Sequence, residues 1–231
     1  MISDDRILYA DNHLLVVQKM PGELVQGDRT GDLCLADKAK AYIKECYAKP
    51  GEVYLGVVHR LDRPVGGVIL FARTSKAAAR LSAAFQKRTL KKTYLALTQK
   101  WTGPKQGNLM HHLKKNAAQN KSHVVPEGTS GSKEAVLNYQ CIHQLDHYSL
   151  LQVELETGRH HQIRAQLAAA SAPIRGDLKY GARRSNPDGG IDLLAWRLEL
   201  MHPVRKEPMC FQATLPGNWP QEVQRKLASR S

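Results

Sequence analysis

His59-Arg60-Leu61-Asp62-Arg63-Pro64-Val65-Gly66-Gly67-Val68-Ile69-Leu70-Phe71-Ala72-Arg73-Thr74 changes character at its glycines. His59 to Gly67 carries a proline and two glycines, is too irregular for one continuous element, and reads as a loop. Gly67 to Arg73 is β-branched and apolar, and reads as a strand. The carboxylate of Asp62 thus stands among His59, Arg60 and Arg63 in a loop that opens onto a strand. Taken alone this is ambiguous, because an Asp beside arginines is usually an ion-paired or turn residue.

Strands and helices follow one another outward from this stretch. Upstream, His13 to Gln18 reads as a strand ended by Pro21-Gly22, and the apolar spacing of Leu35, Ala39, Tyr42, Ile43 and Cys46 predicts a helix over 33–47 with Asp32 as its N-cap. Downstream, Thr74-Ser75 can cap a helix from Lys76 to about Arg88, whose Ala77, Leu81, Ala84 and Phe85 share a face. Strands are expected at Thr93 to Gln99, Tyr148 to Leu155 and Leu193 to Leu200, and helices at His161 to Ala170 and from Pro220 onward. Between Trp101 and Lys133 the pattern fades into Gly, Pro, Asn, Lys and His, which reads as an extended hairpin or mobile loop, a candidate partner-contacting arm. No internal repeat or long linker interrupts the chain, so one catalytic domain over 1–231 is expected.

Charge narrows the class of partner. The 34 Lys and Arg against 21 Asp and Glu give a formal net charge of +13, with a sequence pI near 9.7. A basic surface that displaces condensed counterions favours a polyanion such as nucleic acid, although charge alone is a footprint and not a fold. At 42% hydrophobic and 24% charged residues the chain is ordinary for a globular protein, which excludes wholesale disorder. The start, Met1-Ile2-Ser3-Asp4-Asp5-Arg6, lacks the basic region of a signal peptide and no long apolar run follows, so a cytoplasmic protein without a membrane segment is expected. Cys34, Cys46, Cys141 and Cys210 are scattered, neither paired as in zinc sites nor dense as in disulfide scaffolds, and are read as reduced thiols.

Several chemistries are missing by motif. There is no G-x-G-x-x-G, no Walker A loop, no H-E-x-x-H and no C-x-x-C pair. His111-His112 and His160-His161 are poor metal ligands, because neighbours on a strand or helix diverge, and they are expected to face RNA or solvent instead.

The meaning of Asp62 changes when ordered blocks are read together. The chain resembles the RluA family of RNA pseudouridine synthases in three: the opening stretch, which is similar to the family's catalytic loop and following strand; Lys92-Thr93-Tyr94-Leu95-Ala96, similar to its tyrosine block; and Thr157-Gly158-Arg159-His160-His161-Gln162-Ile163-Arg164 with Pro173-Ile174-Arg175-Gly176-Asp177 and Lys179-Tyr180-Gly181, similar to its arginine block. The resemblance runs from about Ile7 to Ala213. It implies an α+β fold with a mixed, largely antiparallel central sheet flanked by helices and loops around an RNA-binding cleft. It also implies isomerisation of uridine to pseudouridine in ribosomal or transfer RNA, with no cofactor and no metal, by a monomer of the minimal type without a separate N-terminal RNA-binding module.

By the same resemblance Asp62 is the catalytic carboxylate, acting as nucleophile toward the ribose or as base on a ribose proton. Tyr94 stacks on the target base and assists proton removal from its carbon 5, and Arg164 is the ion-pairing arginine. A uridine inside folded RNA must be flipped out to react, which costs a few kcal/mol. Arg60 matches the residue that enters the vacated space, and Arg63 and Arg159 are expected to hold phosphate or the loop. The pattern departs at Val65-Gly66-Gly67, where the family commonly has Thr-Ser-Gly, at Lys19-Met20-Pro21-Gly22, where the proline is one place late, and at Leu194, often histidine. Two other readings compete: an RNA-binding or RNA-folding protein on a synthase scaffold, against which intact Asp62, Tyr94 and Arg164 argue, and a glycoside hydrolase, for which no second carboxylate can be singled out.

Overall fold

The computed structural model describes residues 2–27, 31–48 and 50–228. In chain order these form β1 (Ile7–Ala10), β2 (Leu14–Lys19), α1 (Leu35–Cys46), β3 (Gly56–Val57), β4 (Gly66–Ala72), α2 (Ser75–Gln86), β5 (Lys91–Gln99), β6 (Gln106–Asn116), β7 (Lys121–Val125), β8 (Lys133–Gln144), β9 (Tyr148–Leu155), α3 (Gln162–Ala169), β10 (Leu193–Met201), β11 (Pro208–Gln212) and α4 (Gln221–Ala228). The fold is mixed α+β with a large, largely antiparallel sheet, as the resemblance implied. The chain forms two compact units, one from the N-terminal residues to Lys91 with Ala195–Thr214, the other Lys92–Leu194 with the residues from Leu215 on.

In the first unit the strand order is β1-β2-β4, and the Ala195–Met201 part of β10 pairs with β11. Every residue of β4 is buried, which is why its sequence is a continuous apolar run and not an alternating one. Leu15 and Val17 of β2 and Ile69 and Phe71 of β4 join Leu35, Ala39 and Ile43 of α1 in one core. α2 begins as read, with Thr74 Oγ1 accepting from the Ala77 amide at 3.2 Å. The start of α1 differs from expectation: Asp32 is not its cap, because the helix begins two residues late behind Cys34. Asp32 instead pairs with Arg63 at 3.0 Å, with both side chains 51% exposed.

The second unit is an antiparallel sheet ordered β5-β9-β8-β6-β7. The stretch 101–133 folds as the hairpin of β6 and β7 and not as a mobile loop. Strand β8, unread from the sequence, carries Ala135, Leu137, Tyr139 and Cys141 at buried alternate positions. Leu113, Ala135, Ala165 and Tyr180 pack together where α3 meets the hairpin.

Candidate active site

The loop that carries Asp62 is shaped by a buried cation. Strand period 2 puts Lys19 on the same face of β2 as Leu15 and Val17, so its side chain enters the unit's interior, where it is fully buried. Its Nζ donates to three carbonyls, those of Val65 at 2.6 Å, Arg63 at 2.9 Å and Met20 at 3.2 Å. An ammonium has three donors, so the set of acceptors matches it. Burial pulls the Lys19 pKa down to about 7, and the charges of Glu23 and then Asp62 oppose that pull. The three carbonyls hold the cation as well.

Further contacts close the loop. The Gly22 amide donates to Arg63 O at 2.8 Å, the Val65 amide to Asp62 O at 3.0 Å, and Arg63 Nε to Gly22 O at 3.0 Å. His59 Nε2 accepts from the Leu70 amide at 2.9 Å, tying the loop's start to β4. At its end Gly67 has φ +125°, and a Cβ there would sit 2.3 Å from Ala195 O. Only glycine fits. Val65, one of the departures from the family pattern, is buried, so packing stands there in place of a hydroxyl. Within this frame Asp62 is half-buried, while Arg60 and Arg63 are exposed. Arg63 is held by Asp32 and Gly22.

In the second unit Tyr94 lies on β5 opposite Val153 of β9 and is 9% exposed. The turn before α3 is locked: Thr157 Oγ1 donates to Gln162 Oε1 at 2.8 Å, the Arg159 amide donates to the same oxygen at 2.9 Å, and Gln162 Nε2 donates to Val136 O at 3.1 Å. Arg159 Nε donates to Glu134 O at 2.8 Å, anchoring it to β8. Arg164 is a buried residue of α3, only 5% exposed. Its Nε and Nη2 grip Asp177 at 2.7 and 2.9 Å, a bidentate pair that fixes the plane of the guanidinium.

Adjacent histidines do not diverge here as expected. His161 has φ +53°, a left-handed backbone, and that rotation stacks its ring on His160 with centroids 3.8 Å apart. His161 is buried against Tyr180 and does not face solvent; burial and then the Arg164 charge push its pKa down to about 2. Among the described residues no group of three or more His, Cys, Asp or Glu could hold a metal, and no helix is long and apolar enough to cross a membrane. Lys19, Asp177, His161 and Tyr180 were not assigned roles from the sequence. A lysine on the apolar parity of β2 was the one available signal for the first; the others depend on contacts between distant segments.

The family model of RNA pseudouridylate synthases matches residues 13–169. The chain belongs to that family. Its members are isomerases that act on RNA, and the RluA-type resemblance read from the motif blocks is borne out. A ribosomal large subunit pseudouridine synthase D from Xylella fastidiosa is 32% identical, over 91% of this chain and 66% of the relative. A tRNA pseudouridine synthase C from Pectobacterium carotovorum is 30% identical, over 92% of this chain and 60% of the relative. The chain therefore spans less than two thirds of these two relatives' lengths. The human RNA Pseudouridylate Synthase Domain Containing 4 structure shares the fold, with a TM-score of 0.80 at 24% identity, covering 96% of this chain and 93% of that one.

Proposed function

We propose that this protein converts uridine to pseudouridine in ribosomal or transfer RNA, with Asp62 as the essential carboxylate and the target base flipped out of its stack. The observation that carries the reading is the loop around Asp62, half-buried and held in shape by a cation whose donors go to the backbone of Arg63 and Val65. The names of the relatives supply the two RNA classes.

In either role Asp62 must be an anion. The charge of Asp62 in turn opposes the fall that burial imposes on the Lys19 pKa. As a nucleophile the carboxylate bonds to the ribose anomeric carbon, and the glycosidic bond breaks with its electron pair leaving on uracil nitrogen 1. The uracil turns, carbon 5 bonds to the same carbon and the carboxylate departs. As a base, Asp62 removes a ribose proton instead and later returns it. Both routes end when carbon 5 loses its proton and nitrogen 1 gains one, so the reaction is balanced without redox change or hydrolysis. Tyr94 stacks on the base and assists proton loss from carbon 5; Arg164 acts as the ion-pairing arginine. Arg60 enters the space the uridine leaves, with Arg63 and Arg159 on phosphate or loop backbone. The reading has a monomer acting in the cytoplasm without a cofactor.

The test is a pseudouridine map of transfer and ribosomal RNA from cells with and without the gene. At least one site should vanish with the gene and return with the wild-type chain but not with Asp62→Asn, whose RNA affinity should stay within about twofold. A map that does not change would sink the reading and leave the RNA-binding alternative standing. Restoration by Asp62→Asn would remove Asp62 from the chemistry.

A further inference from the structure

Strand β7 ends the sheet order of its unit, and a side chain covers its outer backbone edge. The Tyr180 phenol accepts from Ser122 N at 2.9 Å and donates to Ser122 O at 3.0 Å, as a neighbouring strand would. Because that single hydroxyl proton goes to Ser122 O, His161 Nδ1, 3.0 Å from the same oxygen, is the donor in the third contact. The ring of Tyr180 is engaged as well. The Arg164 guanidinium lies 5.0 Å from its centroid and the Lys121 ammonium 4.9 Å.

Other contacts tie the same turn down. His160 reaches Ser122 Oγ at 2.9 Å and Asn120 Oδ1 at 3.1 Å. Lys179 Nζ donates to the carbonyls of Gln119 and Asn120 at 3.3 and 3.2 Å. The hairpin is thus latched to the segment that carries Arg164, while its opposite face is open. Met110, Lys114, Asn116 and His123 are exposed, with Lys114 directly across from His123. From Gln106 to Val125 there are three lysines, three histidines and no acidic residue. Such a strip suits the phosphate backbone of RNA.

We propose that the β6–β7 hairpin is a docking surface for RNA phosphates and that Tyr180 is the positioning residue that couples it to Arg164, its hydroxyl fixing the hairpin and its ring the guanidinium. This rests on the proposed function, and two variants separate the couplings. Tyr180→Phe keeps the ring and removes the hydroxyl; Tyr180→Leu removes both. Probed with transfer and ribosomal RNA from cells lacking the gene, Tyr180→Phe should weaken binding about fivefold and speed deuterium exchange across 121–125. It should slow the single-turnover rate at saturating protein less than Tyr180→Leu does. Tyr180→Leu should weaken binding to the same extent and slow that rate at least tenfold. Lys114→Gln should weaken wild-type binding and flatten its salt dependence, the log–log slope falling by about one for each phosphate no longer neutralised. The same change should weaken Tyr180→Phe by a smaller factor.

Equal slowing of turnover in the two variants, unchanged exchange at 121–125 in Tyr180→Phe, or lysine effects of the same size in both backgrounds would each overturn the coupling. Should Tyr180→Leu not fold, Tyr180→Phe and the lysine cycle decide the matter. Affinity and exchange need no turnover, so a wild-type chain that forms no pseudouridine would refute the proposed function while these measurements still judge the latch.

Discussion

Replacing Lys19 by Met tests whether a buried cation shapes the Asp62 loop. The stem is kept and the donors are removed. Arg63 O retains the Gly22 amide at 2.8 Å and Met20 O retains the Glu23 amide at 3.4 Å, so the effect falls mainly on Val65 O, whose bond from Lys19 is the shortest at 2.6 Å. Leaving a buried carbonyl unpaired costs about 1–3 kcal/mol, and no longer burying an ammonium returns a comparable amount. Global stability should therefore move by less than about 2 kcal/mol in a denaturant titration. Turnover should fall about 100-fold, the scale on which a displacement of about 1 Å harms catalysis. The pH profile adds a sign. Lys19 has a folded pKa of about 7, below its ordinary 10.5. Its stability contribution is therefore fully present above the unfolded value and is lost as pH falls through about 7, by at most about 1.4 kcal/mol per pH unit. Its grip on the loop runs the other way, since the amine has one donor fewer than the ammonium. Wild-type single-turnover rates should fall as pH rises through about 7 while linked stability rises, and Lys19→Met should show neither trend. Wild-type turnover in Lys19→Met, or matching pH profiles in both proteins, would refute the reasoning.

Asp177→Asn breaks the bidentate pair that Arg164 makes with Asp177 and should cost about 3–5 kcal/mol by chemical denaturation. Gly67→Ala should give no folded protein on expression, since its Cβ would overlap Ala195 O, while Gly128→Ala, also at positive φ but with open space around it, should cost only about 1 kcal/mol. The His161 ring should not titrate by NMR between pH 5 and 8, because its pKa is held near 2. Its share of stability is present above 6.5 and lost as pH falls toward 2, so His161→Phe should lessen the acid sensitivity of unfolding.

The catalytic-loop candidates, the strand after them and the helices around them were legible because they rest on local rules. Period, caps, glycine and proline act within a few residues, and ordered blocks survive as blocks. The hairpin was legible as extended and basic. Its exact strands were not, because lysine, histidine and asparagine have no strand signature of their own. β8 was overlooked although its alternate residues are apolar, since Lys133, Glu134 and Asn138 break up the run.

What the sequence by itself determined is the family, the α+β class, the cationic character and the candidacy of Asp62, all of which depend on residue identity and order. Only the tertiary structure decided that Lys19 is buried and holds the loop, that Asp177 orients Arg164, and that Tyr180 joins the hairpin to it. The physical reason is that burial and pairing depend on segments 13 to 58 residues apart meeting in space. A lysine, an aspartate and a tyrosine carry the same letters whether they face water or close a site.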